Sequence, residues 1–196
     1  MRLLLCLLVL CSVQISAYAE TDTAIFAGGC FWCMEHPFDE VEGVISTTSG
    51  YTGGTKENPT YREVSSGTTG HYESEQVEYD PDKVSYEKLL DVYWKNIDPF
   101  DARGQFCDKG PQYRSAIFTK NEKEKELATK SKQALQEKLN GKATVVTEIL
   151  PAKKFYPAED YHQDYYLKNP IRYKYYRYGC GRDKRLEEVQ KIIGTE

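Results

Sequence analysis

Cys30 and Cys33 stand three positions apart, behind the pair Gly28-Gly29 and with Phe31 and Trp32 between them. Two thiols at that spacing are suited to redox chemistry. The glycines allow a tight turn that presents Cys30 at the start of a helix, where unpaired backbone N–H groups favour the thiolate, the nucleophilic form. A cysteine that only fills a core needs no such turn.

The surrounding elements must place that turn. Thr23 to Ala27 is a short β-prone stretch running into the glycines, and Cys30 to Val41 is expected to be helical, so Cys30 falls at a strand-to-helix junction. Val44 to Gly50 reads as a second strand, and Val77 and Tyr79 alternate with polar residues ahead of the Asp80-Pro81-Asp82 turn. Tyr86, Leu89, Leu90, Tyr93 and Ile97 follow helical spacing, with Ser85 as a natural N-cap. Ser115 to Phe118 is a core strand, Asn121 and Glu124 have the spacing of a reciprocal cap, and Thr144 to Leu150 is a further strand. Several strands follow one another without a crossover helix, which points to a two-layer α/β sandwich rather than a doubly wound sheet. Beyond Leu150 the chain reads as a long, irregular, tyrosine-rich tail, with Gly179-Cys180-Gly181 as a flexible thiol-bearing segment.

Met1-Arg2, an apolar run from Leu3 to Val13 and Ala17-Tyr18-Ala19 have the pattern of a secretory leader, too short to span a bilayer. Cleavage after Ala19 leaves residues 20–196 as one domain, exported to a periplasm or secreted, with no membrane span and expected as a monomer. It also removes Cys6 and Cys11, leaving Cys30, Cys33, Cys107 and Cys180, which is sparse for a disulfide scaffold. The net charge of −4, with no basic stripe, argues against nucleic acid as a partner. His36, His71 and His162 are scattered, and no cysteine pair has a second pair at zinc spacing, so no metal is expected.

Five segments together resemble the peptide methionine-(S)-sulfoxide reductases of the A type: residues 28–33 (Gly-Gly-Cys-Phe-Trp-Cys), 58–64 (Asn-Pro-Thr-Tyr-Arg-Glu-Val), 69–73 (Thr-Gly-His-Tyr-Glu), 112–115 (Gln-Tyr-Arg-Ser) and 161–165 (Tyr-His-Gln-Asp-Tyr). The likeness runs from about Ile25 to Lys184. It implies a ferredoxin-like core, reduction of methionine-(S)-sulfoxide, free or in oxidised proteins, and no bound cofactor. A thioredoxin-type reductant would regenerate the enzyme. On this resemblance Cys30 attacks the sulfoxide sulfur, Glu73 is the acid, Tyr61 and Tyr113 donate hydrogen bonds to the oxygen, and Asp108 supports them. Phe31 and Trp32 form the apolar wall against the sulfoxide methyl. The chemistry agrees, because a sulfoxide is a poor electrophile until its oxygen is protonated, and a carboxyl can supply that proton near neutrality only if burial raises its pKa. His71 has no evident chemical task and reads as structural.

A sulfenic acid on Cys30 must be resolved by a second thiol before further oxidation. Cys33 lies one helical turn away, Cys180 is flanked by glycines that would let it swing, and Cys107 reads as a small filler beside Asp108. The chain departs from the family at Ser65, where some members have a further cysteine, and in Gly-Cys-Gly-Arg-Asp, which replaces a long glycine-rich tail with two cysteines. An exported thiol-disulfide oxidoreductase using Cys30 and Cys33 is the alternative enzyme, and a stapled tyrosine-rich binding module the non-enzymatic one.

Overall fold

Period-two alternation across Asp22–Gly28 sends Ala24 and Phe26 to one face of a strand and Ile25 and Ala27 to the other, and all four are buried. This strand, β1, lies inside the main sheet of the computed structural model, which describes residues 20–194. The leader read over residues 1–19, with Cys6 and Cys11, lies outside the described residues. After β1 come α1 (Phe31–Asp39), β2 (Val44–Thr52), α2 (Tyr61–Ser65), β3 (Tyr72–Tyr79) and α3 (Tyr86–Lys95). The ribbon of β4 (Gly104–Gln105) and β5 (Asp108–Lys109) precedes a 3-10 turn (Pro111–Tyr113), β6 (Ser115–Thr119), α4 (Glu122–Lys138), β7 (Glu148–Pro151) and β8 (Tyr156–Pro157). Three helices close the described chain: α5 (Tyr165–Lys168), α6 (Pro170–Gly179) and α7 (Arg182–Ile193).

The six-stranded sheet has the order β7-β6-β1-β3-β2-β8. Its inner four strands, β6-β1-β3-β2, are antiparallel neighbours. The connections through α1 and α3 each skip one strand, which is the split β-α-β layout of a ferredoxin-like sandwich, as expected. α4 then returns the chain to β7, parallel beside β6.

On the helical face Phe26 packs against Phe38 of α1 and Tyr93 of α3, ring centroids 5.1 and 5.2 Å apart. Leu89, Leu90, Ile97, Val77 and Ile117 complete that layer. Each such side chain contributes roughly 1.5–3 kcal/mol of transfer free energy, and the Tyr93 hydroxyl donates to the Ala27 carbonyl at 2.8 Å, so its polar tip is not stranded. Ser85 caps α3 by accepting from Lys88 N–H at 3.2 Å. Asn121 caps α4 by accepting from Glu124 N–H at 2.9 Å, while Glu124 reaches back to Lys120 N–H at 2.7 Å, one residue before the position its spacing implied. The opposite face, with Ile25, Tyr72, Ala116 and Phe118, is covered by Leu150, Ala152 and Phe155 of the returning chain.

The tail departs from its reading as mostly loop. Residues 152–164 are irregular apart from β8, but α5 to α7 follow. None of these three helices has a side-chain N-cap, so their starts carry no capping signal. α6 begins at Pro170, whose missing N–H costs nothing at a first turn. α7 is held by Leu186, Val189 and Ile193, spaced three and four apart on its buried face. Among the described residues no helix is long and apolar enough to cross a membrane.

Candidate active site

The turn from β1 into α1 is possible only with glycine. Gly29 has φ +85°, and a Cβ there would sit 2.5 Å from Cβ of Gln105; a Cβ on Gly28 would sit 2.5 Å from Sδ of Met34. Cys30 follows as the residue before α1, and its carbonyl accepts from Cys33 N–H at 3.0 Å. Both thiols are free and buried, and Cys30 donates to the Cys33 sulfur. Burial, then that hydrogen bond and the charges of Cys33, Glu73 and Asp108, hold Cys30 well above the usual thiol range. The same bond brings Cys33 down to about 7 against its own burial, helped by Arg182 and Arg177. Burial and the hydrogen bond to Cys33 thus oppose the helix-start N–H groups that favour a thiolate on Cys30.

β3 brings Glu73 under the start of α1, where its Oε2 accepts from Phe31 N–H at 3.2 Å. Only 1% of it is exposed. Burial raises its pKa to about 8 against the pull of that N–H, with the charges of Asp108 and Cys33 adding, so the carboxyl is an acid at neutral pH. Tyr61 opens α2, fixed by the reciprocal cap between Thr60 and Glu63, and its N–H donates to Glu159 at 2.9 Å. Burial, then Glu73 and Cys30, push its hydroxyl up to about 12, against a hydrogen bond with Tyr113. Tyr113 ends the 3-10 turn and is also raised, by burial and then by Glu73 and Tyr61. Both therefore remain hydroxyl donors. Asp108 on β5 is raised by burial against a 2.5 Å hydrogen bond from Tyr176 and the charge of Arg182. Cys30, Glu73, Tyr61, Tyr113 and Asp108, from four separate stretches of chain, thus meet in one site.

Its apolar side is Phe31 and Trp32. Phe31 packs on Tyr51, Tyr61 and His162, at 5.9, 6.5 and 5.0 Å between ring centroids. Trp32 lies flat on Tyr165 at 3.6 Å, and its indole N–H donates to His162 Nδ1 at 3.0 Å. Burial lowers the His162 pKa, which keeps the ring neutral and able to accept. Glu35 of α1 accepts from Asp164 and Tyr165 N–H at 2.7 and 3.2 Å and so holds this segment in place. His162, Tyr165, Tyr176 and Glu35 were not singled out in the sequence, although the stretch Tyr161 to Tyr165 was. Their partners lie more than a hundred residues away for three of the four, beyond any local pattern. His71, read as structural, accepts from Gly54 N–H at 3.2 Å through Nδ1 and reaches Lys56 O at 2.7 Å, so both ring nitrogens are occupied by the segment that follows β2.

Two cysteine readings change. Cys107 is not a filler: it is bonded to Cys180, with Cα atoms 5.0 Å apart across a separation of 73 residues. Cys180 is accordingly not a free thiol between glycines but is tied beside Asp108, because the β4-β5 turn and the α6-α7 junction meet there. Cys107, Asp108 and Cys180 also form a cluster of metal-ligating residue types, but the disulfide takes both sulfurs.

A coupled thiol pair, a buried acid and two hydroxyl donors facing an aromatic wall make up the site of a thiol-dependent oxidoreductase. Residues 22–192 match the family model described as peptide methionine sulfoxide reductase. The peptide methionine sulfoxide reductase MsrA of Bacillus licheniformis is 55% identical over 169 residues, covering 86% of this chain and 93% of that protein. Mxr1 from Saccharomyces cerevisiae in reduced form superposes with a TM-score of 0.73 at 32% identity, covering 78% of this chain and 88% of that one. Mxr1 in complex with Trx2 superposes with a TM-score of 0.54 at 23% identity, covering 79% and 91%, a likeness of fold alone. The chain belongs to the peptide methionine sulfoxide reductase family and is an oxidoreductase.

Proposed function

We propose that this protein reduces methionine-(S)-sulfoxide, free and in oxidised proteins, to methionine. The observation that carries the reading is Glu73: a fully buried carboxyl that accepts from the N–H of Phe31, the residue after Cys30, its pKa raised by burial to about 8, and in electrostatic reach of two tyrosine hydroxyls. Tyr61 and Tyr113 bind the sulfoxide oxygen and Glu73 gives it a proton as the Cys30 sulfur attacks. Oxygen passes to Cys30 and the thioether leaves; the Cys33 sulfur then attacks the Cys30 sulfur, the S–O bond breaks and the hydroxyl leaves as water with the remaining thiol proton, forming a disulfide. In balance, one sulfoxide and two thiols give one thioether, one disulfide and water. Phe31 and Trp32 hold the methyl group, so inverting the sulfur would exchange methyl and oxygen between the wall and the donors.

A thioredoxin-type protein then reduces the Cys30–Cys33 disulfide; Mxr1, the yeast relative, has been solved in complex with Trx2. The leader pattern directs the chain out of the cytoplasm, so that reductant would be an exported thioredoxin-fold protein supplied with electrons across the membrane. Turnover of each sulfoxide epimer tests the activity. The S epimer should be reduced with loss of two thiols per chain in the absence of reductant, and the R epimer should be a very poor substrate. Thiol loss with small disulfides but not with either epimer would point to a thiol-disulfide oxidoreductase instead. N-terminal sequencing of the native protein tests the address, with Glu20 expected first and a retained Met1 opposing it.

A further inference from the structure

The ring of Tyr165 lies flat on Trp32, with 3.6 Å between centroids and 4° between planes. The backbone that carries it has no cap of its own. Asp164 takes φ +53° and makes no side-chain bond to the start of α5, its carboxylate pairing instead with Lys168 at 3.1 Å. The N–H groups of Asp164 and Tyr165 therefore need an acceptor from elsewhere. Glu35, 1% exposed, serves both: Oε1 accepts from Asp164 N–H at 2.7 Å and Oε2 from Tyr165 N–H at 3.2 Å. It stands one helical turn beyond Trp32 on α1, so a closed circuit runs from Trp32 through Tyr165 and Glu35 back to the same helix. Packing alone would be served by an apolar residue at this buried position, where a carboxyl is costly unless hydrogen-bonded. What the carboxylate adds is a fixed place for residue 165.

We propose that Glu35 is a positioning residue for substrate binding: by capping the turn at Asp164 with both carboxylate oxygens it holds Tyr165 flat on Trp32 and so fixes the wall that receives the sulfoxide methyl. This rests on the reading of Trp32 as that wall, which Glu35 reaches only through Tyr165. The charged or titratable groups that bear on Glu35 are Asp39 on α1, Asp164 ahead of α5 and Glu75 on β3, all acidic, and among the described residues no cation pairs with it. Burial raises its pKa to about 7 against the pull of the two N–H groups, with the charges of Asp39 and Asp164 adding. Glu75, fully buried with Oε1 unpartnered, is held well above the carboxylate range, so of this pair it is Glu35 that changes charge near neutrality. Once protonated, Glu35 has a hydroxyl donor facing an N–H donor, and one of the two bonds is lost.

The test joins two readouts on the full-length protein. Amide NMR of Asp164 and Tyr165 from pH 5 to 9 reads the cap without any sulfoxide, and both protons should move through one step with a midpoint near 7 that is absent in Glu35→Gln. Steady-state kinetics with methionine-(S)-sulfoxide and dithiothreitol read the wall. The parental KM should rise about fivefold from pH 8 to pH 6, the scale of a lost helix cap. In Glu35→Gln it should already stand about fivefold above the parent at pH 8 and show no step, with kcat within about threefold. Gln163, whose side-chain amide brackets Ser49 N–H and O at 2.9 Å each, still ties the segment to β2 in that variant, so the loss is local. A parental KM in Glu35→Gln at pH 8 overturns the proposal and leaves the sulfoxide reading standing. If the variant does not fold, the parent decides: amide and KM steps that coincide near pH 7 support the proposal, and either one flat overturns it. If the parent reduces no sulfoxide, the earlier reading fails by itself and the amides decide, a step near pH 7 supporting the cap and its absence overturning it.

Discussion

Glu73→Gln separates the acid from its shape. The amide oxygen can still accept from Phe31 N–H, now 3.2 Å from Glu73 Oε2, so the start of α1 keeps its anchor while the proton is lost. With a pKa of about 8, Glu73 is about nine-tenths protonated at pH 7 and about one-tenth at pH 9. The sulfoxide-reduction step of the parent, followed by rapid-quench release of methionine under single-turnover conditions, should therefore be level to about pH 7 and fall towards tenfold per unit above pH 8. In Glu73→Gln it should be about 10²- to 10⁴-fold slower at pH 7, the usual scale for a general acid, without that fall. Stability should move the other way. Between 4.5 and about 8 the folded state holds a proton on Glu73 that the unfolded chain has lost, so folding weakens as pH rises through that window, by up to roughly 5 kcal/mol at its end. Glu35, raised to about 7, adds to the same slope. Glu73→Gln should accordingly resist urea better than the parent at pH 9, with little difference at pH 4. A variant that reduces the sulfoxide at the parental rate from pH 6 to 9 would remove Glu73 from the role of acid.

Other changes read other parts of the site. Cys33→Ser should release one methionine per chain at close to the parental rate and then stop when a thioredoxin-type reductant is the sole electron source; sustained turnover would require a different resolving thiol. Trp32→Ala should raise KM for methionine-(S)-sulfoxide by about 10- to 100-fold and leave kcat within about tenfold, because the wall holds the methyl group in ground and transition states alike; a loss confined to kcat would contradict that. Cys107→Ser, which opens a loop of 73 residues, should lower the unfolding free energy by about 4 kcal/mol on the chain-entropy account, measured by denaturant titration without reductant. An unchanged midpoint would mean that the bridge does not constrain the unfolded chain.

What was legible in the sequence was the local part of the architecture. Period-two alternation around Phe26 and Val77, helical spacing from Tyr86 to Ile97, and the caps at Ser85 and Asn121 each arise within one turn or one strand, and each appears in the structure. The site residues were reached through motif resemblance rather than pattern, since Glu73 alone reads as an ordinary strand carboxylate and Tyr61 and Tyr113 are two of 16 tyrosines. The Cys107–Cys180 bridge, the Trp32–His162 bond and the burial of Arg182 depend on where the tail returns to the sheet. That return is carried by α5 to α7, which lack side-chain caps, and by a tyrosine-rich helix α6 that buries one residue of ten. The opposite shifts of Cys30 and Cys33 were beyond reach for a related reason: they follow from the burial of Cys30 and the hydrogen bond between the two thiols, which only the folded site brings about.

The role of Cys30 can be read directly by trapping. Cys33→Ser, mixed with one equivalent of methionine-(S)-sulfoxide in the presence of dimedone and digested for mass spectrometry, should carry one dimedone adduct on Cys30 for each methionine released. Methionine formed with no adduct on Cys30, or with the adduct on another cysteine, would contradict the transfer of oxygen to that sulfur.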